Sequence, residues 1–139
     1  MLAISFFILS GELMSAAGLT TGLVKFAHAL VGHFRNGLAS VTVLTNIIFA
    51  GLTGSGVADT AAIGTVMIPQ LKARGYPAGL ASAISASGGS IGPIIPPSIA
   101  MIIYGSLADL PIGKLFMAGF VPGLLMGIGV MAIAYVINT

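Results

Sequence analysis

Polar positions divide this chain into apolar blocks of different lengths, and each block predicts a different element. The first block, 1–17, is apolar until Glu12. It is shorter than the roughly 20 residues a spanning helix needs and reads as a truncated membrane helix with an interfacial carboxylate near its end. In 19–35, Leu19, Leu23, Phe26, Leu30 and Phe34 repeat at helical spacing, while Lys25, His28 and His33 fall off that stripe. That pattern predicts an amphipathic helix lying in the interface. His28 and His33 are too far out of register on one helix face to share a metal.

Asn36-Gly37 marks a break, after which 38–53 carries no charge. Thr42, Asn46 and Thr53 share a face with small Ala50 among them, a face suited to packing on protein rather than lipid. Gly54-Ser55-Gly56 interrupts the helix, and a returning arm runs from Val57 to Ile68, where Pro69 is expected to end it. An arm that short rises about 18 Å, less than a hydrocarbon core about 30 Å thick. The stretch 38–69 is therefore predicted to be a re-entrant hairpin. Basic residues on both flanks agree: Lys25 and Arg35 precede it, Lys72 and Arg74 follow, and the positive-inside rule puts both flanks in the cytoplasm.

The next block, 78–104, is long enough to span, but Ser87-Gly88-Gly89-Ser90-Ile91-Gly92-Pro93 and Pro96-Pro97 rule out regular helix at its middle. A discontinuous membrane helix is preferred to a simple proline kink. The last block, 116–137, is a clean spanning helix. Gly119, Gly123 and Gly127 form a small-residue ridge on it for close helix packing.

Composition confirms the class. Of 139 residues, 57% are hydrophobic and 6% charged, against roughly a quarter charged in soluble domains. The fold class is thus an all-α membrane protein. The absence of cysteine excludes disulfides and thiolate chemistry, and a net charge of +2 gives no reason to expect nucleic acid. Met1 opens straight into an apolar run without a basic region before it, so the chain is expected to be a fragment rather than to begin with a signal peptide.

Little of this suggests an enzyme. Asp109 is placed in a loop on the far side of the membrane from the hairpin's flanks and not on a helix facing Asp59, no nucleophile–base spacing occurs, and GLTGSG lacks the ending of a phosphate loop. Asp59 has two readings. With Gly56 as N-cap it sits where a carboxylate favours a helix dipole, or it organises a site. The positive reading is ion-coupled transport. Ser55 and nearby carbonyls end one half-helix, and Ser85, Ser87 and Ser90 with Gly88 and Gly92 surround the second break. Neutral oxygens of this kind suit sodium, whereas calcium or zinc would want more carboxylates or imidazoles.

These stretches resemble a known family. The GSG-VAD hairpin, the IP…K-RGY loop and the IGPIIPPSI break, with FFILSGELM and HALVGHFRNGLA before them, are similar to the large membrane subunit of TRAP (tripartite ATP-independent periplasmic) transporters. The resemblance covers the whole chain and the N-terminal half of that subunit. It implies one half of an inverted-repeat elevator transporter in a bacterial inner membrane, with sodium as the coupling ion and no other cofactor. Organic acids such as C4-dicarboxylates or sialic acid would be taken up. The implied partners are a periplasmic substrate-binding protein, a small membrane subunit, the other half of the large subunit, and the bilayer.

Carried over, Gly54, Ser55 and Gly56 with Ser87, Gly88, Ser90, Gly92 and Pro93 would bind sodium and flank the substrate. Asp59, Asn46, Pro96 and Pro97 would support them. Gly88-Gly89 departs from the family, which often has hydroxyl residues there; Ser5 and Ala100 stand where prolines are common. Two rivals are a dicarboxylate/sodium symporter that needs no binding protein and a membrane scaffold that transports nothing. The polar hairpin and the proline break argue against the scaffold.

Overall fold

Seven helices account for nearly all of the described chain, a computed structural model covering residues 2–35 and 37–137. They are α1 (Leu2–Ala16), α2 (Leu19–Val31), α3 (Gly37–Thr53), α4 (Gly56–Ala73), α5 (Ala78–Gly89), α6 (Ile99–Leu107) and α7 (Ile112–Ile137). No strand occurs among the described residues. Of the expected Asn36-Gly37 break, Asn36 lies outside those residues, and Gly37 opens α3.

The uncharged helix α3 is the axis of the structure and packs against α1, α2, α4, α5 and α7. Its polar face is fully internal: Thr42, Thr45 and Asn46 are buried, as is Thr53. The threonines manage this because their hydroxyls bond back to helix carbonyls, Thr42 to Leu38 at 2.9 Å and Thr45 to Val41 at 2.7 Å. Val41, Phe49, Ile63 and Met67 fill the seam between α3 and α4, joined by Val24 and Ala27 of α2.

One expectation needs correction. Pro69 does not end the returning arm. Helix α4 runs through it to Ala73, for 18 residues. Ile63, Met67 and Leu71 fall on one stripe and are completely buried, so packing holds the helix on both sides of an exposed proline. At about 27 Å, α4 is not too short to cross a membrane core, and that argument for re-entrance no longer holds. The large apolar stripe of α2 faces outward, where a helix lying in an interface would present it. Leu19, Phe26 and Leu30 are exposed, while Thr20, Val24 and Ala27 are buried. Small residues let α2 approach α3 closely and turn the large ones outward.

Helix α7 is long and apolar enough to cross a membrane. Its glycines lie where the ridge placed them. A Cβ on Gly119 would sit 2.5 Å from the Ile94 carbonyl oxygen, one on Gly123 2.6 Å from Ile95 Cγ1, and one on Gly127 2.5 Å from Ile47 Cδ1. Close packing on α3 and on the interrupted stretch between α5 and α6 therefore depends on missing side chains.

Candidate functional site

The first interruption lies between α3 and α4. Gly54 turns the chain with φ 64, a conformation glycine adopts without strain, and its N–H still closes onto the Ala50 carbonyl at 2.9 Å. Ser55 follows in extended geometry as the N-cap of α4, and its hydroxyl accepts from the Ala58 amide at 3.4 Å. The cap is thus Ser55 and not Gly56, which sets Asp59 one place further in, still in the first turn where a carboxylate favours the helix dipole.

Asp59 has another use. The Thr53 hydroxyl, at the end of α3, donates to Asp59 Oδ1 and accepts from the Ser55 amide at 3.2 Å. One hydroxyl thus ties both arms and the tip together. Asp59 is completely buried, and its Oδ2 has no hydrogen-bond partner. That oxygen abuts the second interruption: a Cβ on Gly92 would lie 2.6 Å from it and 3.0 Å from the Gly56 amide nitrogen.

The second interruption runs from Ser90 to Ser98, between α5 and α6. Pro96-Pro97 is a cis peptide. Ser98 is buried and caps α6, accepting from the Met101 amide at 3.3 Å while donating to the Pro93 carbonyl at 2.6 Å. The two interruptions touch directly. The Ile99 amide donates to the Gly54 carbonyl at 3.3 Å, and a Cβ on Gly54 would overlap the Pro97 carbonyl oxygen. Gly56 is equally confined, since a Cβ there would lie 2.5 Å from the Gly89 carbonyl oxygen and 2.8 Å from Pro93 Cδ.

Four half-helix ends meet at this crossing. The carbonyl ends of α3 and α5 carry negative partial charge, and the amide ends of α4 and α6 carry positive. A cation and an anion can each find a complementary helix end within one small volume. Beside the tip opens a cavity of about 390 Å³ lined by Thr53, Ser55, Ala58, Thr65, Ile99 and Glu12 among others. Glu12, expected at an interface, is exposed and lines this cavity from α1.

Not every expected site residue joins the crossing. Gly54, Ser55, Gly56, Gly92, Pro93, Pro97 and Asp59 do. Gly88 is buried against the Asn46 side chain, whose amide nitrogen donates to the Thr42 carbonyl at 2.9 Å and whose Oδ1 has no partner. Pro96 is half-buried, its carbonyl near Gly51. Ser87 and Ser90 are exposed, and the Ser90 hydroxyl donates to the Ser87 carbonyl at 2.7 Å. Ser87 lies on the outer face of α5, whose inner face is occupied by Ser85, Gly88 and Gly89, and Ser90, just past the helix end, lines an open cavity with Gly56, Thr60 and Gly89. Ser85 itself is buried with its hydroxyl unpartnered, beside Gly64. Gly88-Gly89 has a local explanation: a Cβ on Gly89 would overlap Thr60 Oγ1.

Thr53 and Ser98 carry more of the crossing than their sequence context suggested. Ser98 had a readable signal, a serine directly before an apolar run and after prolines. Thr53 had none, because its bond to Asp59 crosses a turn.

Comparison with known proteins places these features in context. The family model described as "Tripartite ATP-independent periplasmic transporter, DctM component" matches residues 1–139. The chain is 50% identical over 131 residues to the 2,3-diketo-L-gulonate TRAP transporter large permease protein YiaN of Escherichia coli (strain K12), covering 94% of this chain and 31% of that protein. It is 44% identical over 137 residues to the C4-dicarboxylate TRAP transporter large permease protein DctM of Pseudomonas aeruginosa, covering 99% and 32%. It is 39% identical over 137 residues to the sialic acid TRAP transporter large permease protein SiaM of Vibrio cholerae, again covering 99% and 32%. The chain thus spans about a third of the length of these curated relatives.

Proposed function

Because the chain belongs to the DctM component family of tripartite ATP-independent periplasmic transporters, we propose that it forms part of a large permease in a bacterial inner membrane, taking up an organic acid with sodium as the coupling ion. The meeting of four half-helix ends at Gly54–Gly56 and Gly89–Ile99 carries this reading. Discontinuous helices with this arrangement use amide ends to hold an anionic substrate group and carbonyl ends to hold the coupling cation. Sodium would sit among oxygens of the tip and of the α5 end, with Gly88, Gly92 and Pro93 shaping its surroundings. Asp59, held by Thr53, would fix the tip. The hydroxyls of Ser87 and Ser90 are left out of the ligand set, since both residues are exposed and the Ser90 hydroxyl is engaged by the Ser87 carbonyl.

The hairpin α3–α4 would be re-entrant, on the strength of basic residues at both its flanks. The relatives' names include diketogulonate, C4-dicarboxylates and sialic acid, which are carboxylic acids, and isethionate, a sulfonate. The acidic group of an organic anion, most often a carboxylate, is therefore assigned to the amide ends of α4 and α6. A periplasmic binding protein would deliver it, and a small membrane subunit would brace the permease.

The complete permease, reconstituted in vesicles with both partners, tests this. Uptake of a labelled carboxylic acid should require inward-directed sodium, and Ser55→Ala should raise the half-saturating sodium concentration. Equal uptake without sodium would overturn the coupling. Equal uptake without the binding protein would point instead to the simpler symporter.

A further inference from the structure

We propose that a second cavity, at the far end of α3 from the hairpin tip, binds a phosphate group, as presented by the headgroup of an anionic phospholipid or by free phosphate. The cavity measures about 230 Å³ and is lined by His28, Gly32, Phe34, Gly37, Arg74 and Tyr76, with Leu38 at its edge. It lies where the end of α2, the start of α3 and the turn after α4 come together.

Its shape comes from two glycines. A Cβ on Gly32 would lie 2.7 Å from His28 Nδ1, so the imidazole folds back over Gly32. A Cβ on Gly37 would lie 2.5 Å from the Gly32 carbonyl oxygen, so the link between α2 and α3 is drawn tight. Arg74 is fixed from its backbone, its amide donating to the Gln70 and Leu71 carbonyls at 3.2 and 3.1 Å. The guanidinium thus projects from a fixed base.

Charge at this end is one-sided. The three acidic residues are Glu12, Asp59 and Asp109, and none lines the cavity. Glu12 and Asp59 stand at the hairpin tip, and Asp109 follows α6. Lys25, Arg35 and Lys72 are exposed on the chain segments that carry the lining residues. The amide end of α3 adds positive partial charge, and the carbonyl ends of α2 and α4 offset it, so the attraction falls to the side chains. A guanidinium offers paired donors that match a phosphate's oxygens, and an imidazole adds another.

The surroundings favour a lipid as the source. Phe26 and Leu30 are exposed along α2, and Phe34 in the link after it, giving acyl chains an apolar track that leads to the cavity. Basic pockets between helices on the cytoplasmic side are suited to anionic headgroups. A basic residue that only sets topology needs charge but no cavity, and here there is a cavity.

Binding is measured by native mass spectrometry on the complete permease in detergent, with phosphatidylglycerol, phosphatidylcholine and inorganic phosphate as separate probes. Arg74→Gln and His28→Gln are compared with Lys114→Gln, and thermal unfolding checks that each variant is folded. The expected result is binding of phosphatidylglycerol in preference to phosphatidylcholine, weakened about tenfold by Arg74→Gln, less by His28→Gln and not by Lys114→Gln. Arg74-dependent binding of inorganic phosphate that displaces the lipid would identify free phosphate as the source. Unchanged lipid binding in a folded Arg74→Gln, His28→Gln double variant, or equal binding of phosphatidylcholine, overturns the proposal. None of these readouts involves sodium or uptake, so the result is independent of the transport reading.

Discussion

Thr53 donates its hydroxyl to Asp59 across the hairpin tip, joining the last residue of α3 to the first turns of α4. The same oxygen accepts from the Ser55 amide. Thr53→Val keeps the shape and removes both bonds, leaving a buried carboxylate oxygen without its donor. The expected cost is about 1–3 kcal/mol. It should appear as a lower unfolding temperature of the purified permease, with Thr53→Ser restoring most of it. Wild-type stability in Thr53→Val would mean that the bond holds nothing.

Gly89 and Thr60 fill the same space. Gly89→Ser alone should destabilise the permease by overpacking, at a cost of about 1–3 kcal/mol. Adding Thr60→Ala should recover most of that, and a double-mutant cycle measures the coupling. Simple additivity of the two changes would refute the shared space.

Ser55 and Ser87 separate the inner and outer faces of the site. Ser55→Ala removes both a cap and a neutral oxygen at the tip, and should raise half-saturating sodium roughly fivefold, equivalent to about 1 kcal/mol. Ser87→Ala should leave it unchanged, because Ser87 is exposed on α5. Sodium titration of uptake in vesicles checks both, with Lys72→Gln as a control on an exposed residue far from the tip. A Ser87 effect as large as that of Ser55 would move the site.

Gly123→Leu should lower the amount of folded permease in the membrane, since Ile95 Cγ1 would be 2.6 Å from the added Cβ. The molecules that do fold should keep their sodium half-saturation. Normal folded yield with lost coupling would mean that α7 belongs to the site and does not merely support it.

Re-entrance is decided by labelling. Single cysteines at Arg35 and Ala73, in a cysteine-free background of the complete permease, report cleanly; the chain itself has no cysteine to replace. Both should react with an impermeant maleimide from the cytoplasmic face. Labelling from opposite faces would make α3 and α4 two crossings, which the length of α4 allows.

Features set by local chemistry were the most legible in the sequence. Gly54 and the Pro93, Pro96, Pro97 cluster marked both interruptions, because a φ of 64 or a missing amide constrains the backbone without help from neighbours. The inward face of Thr42, Asn46 and Thr53 was readable for the same reason: polar groups on an uncharged helix need protein around them. Features decided by packing were not. Pro69 reads as a stop, yet the stripe of Ile63, Met67 and Leu71 carries α4 past it. On α2, the outward stripe of Leu19, Phe26 and Leu30 was readable, whereas the packed face of Thr20, Val24 and Ala27 was not, because it shows only in the approach of α3. At the second interruption the serines were easy to see and their directions were not: Ser87 and Ser90 are exposed, and Ser98 is buried.

The bond from the Ile99 amide to the Gly54 carbonyl bears on how an ion could get in or out. Swinging the tip away from α6 would break this bond and leave both groups in need of new partners. The bond therefore couples the tip to the start of α6 and resists their separation. In the transport reading, the tip and the start of α6 are expected to travel together, as the proposed elevator would require.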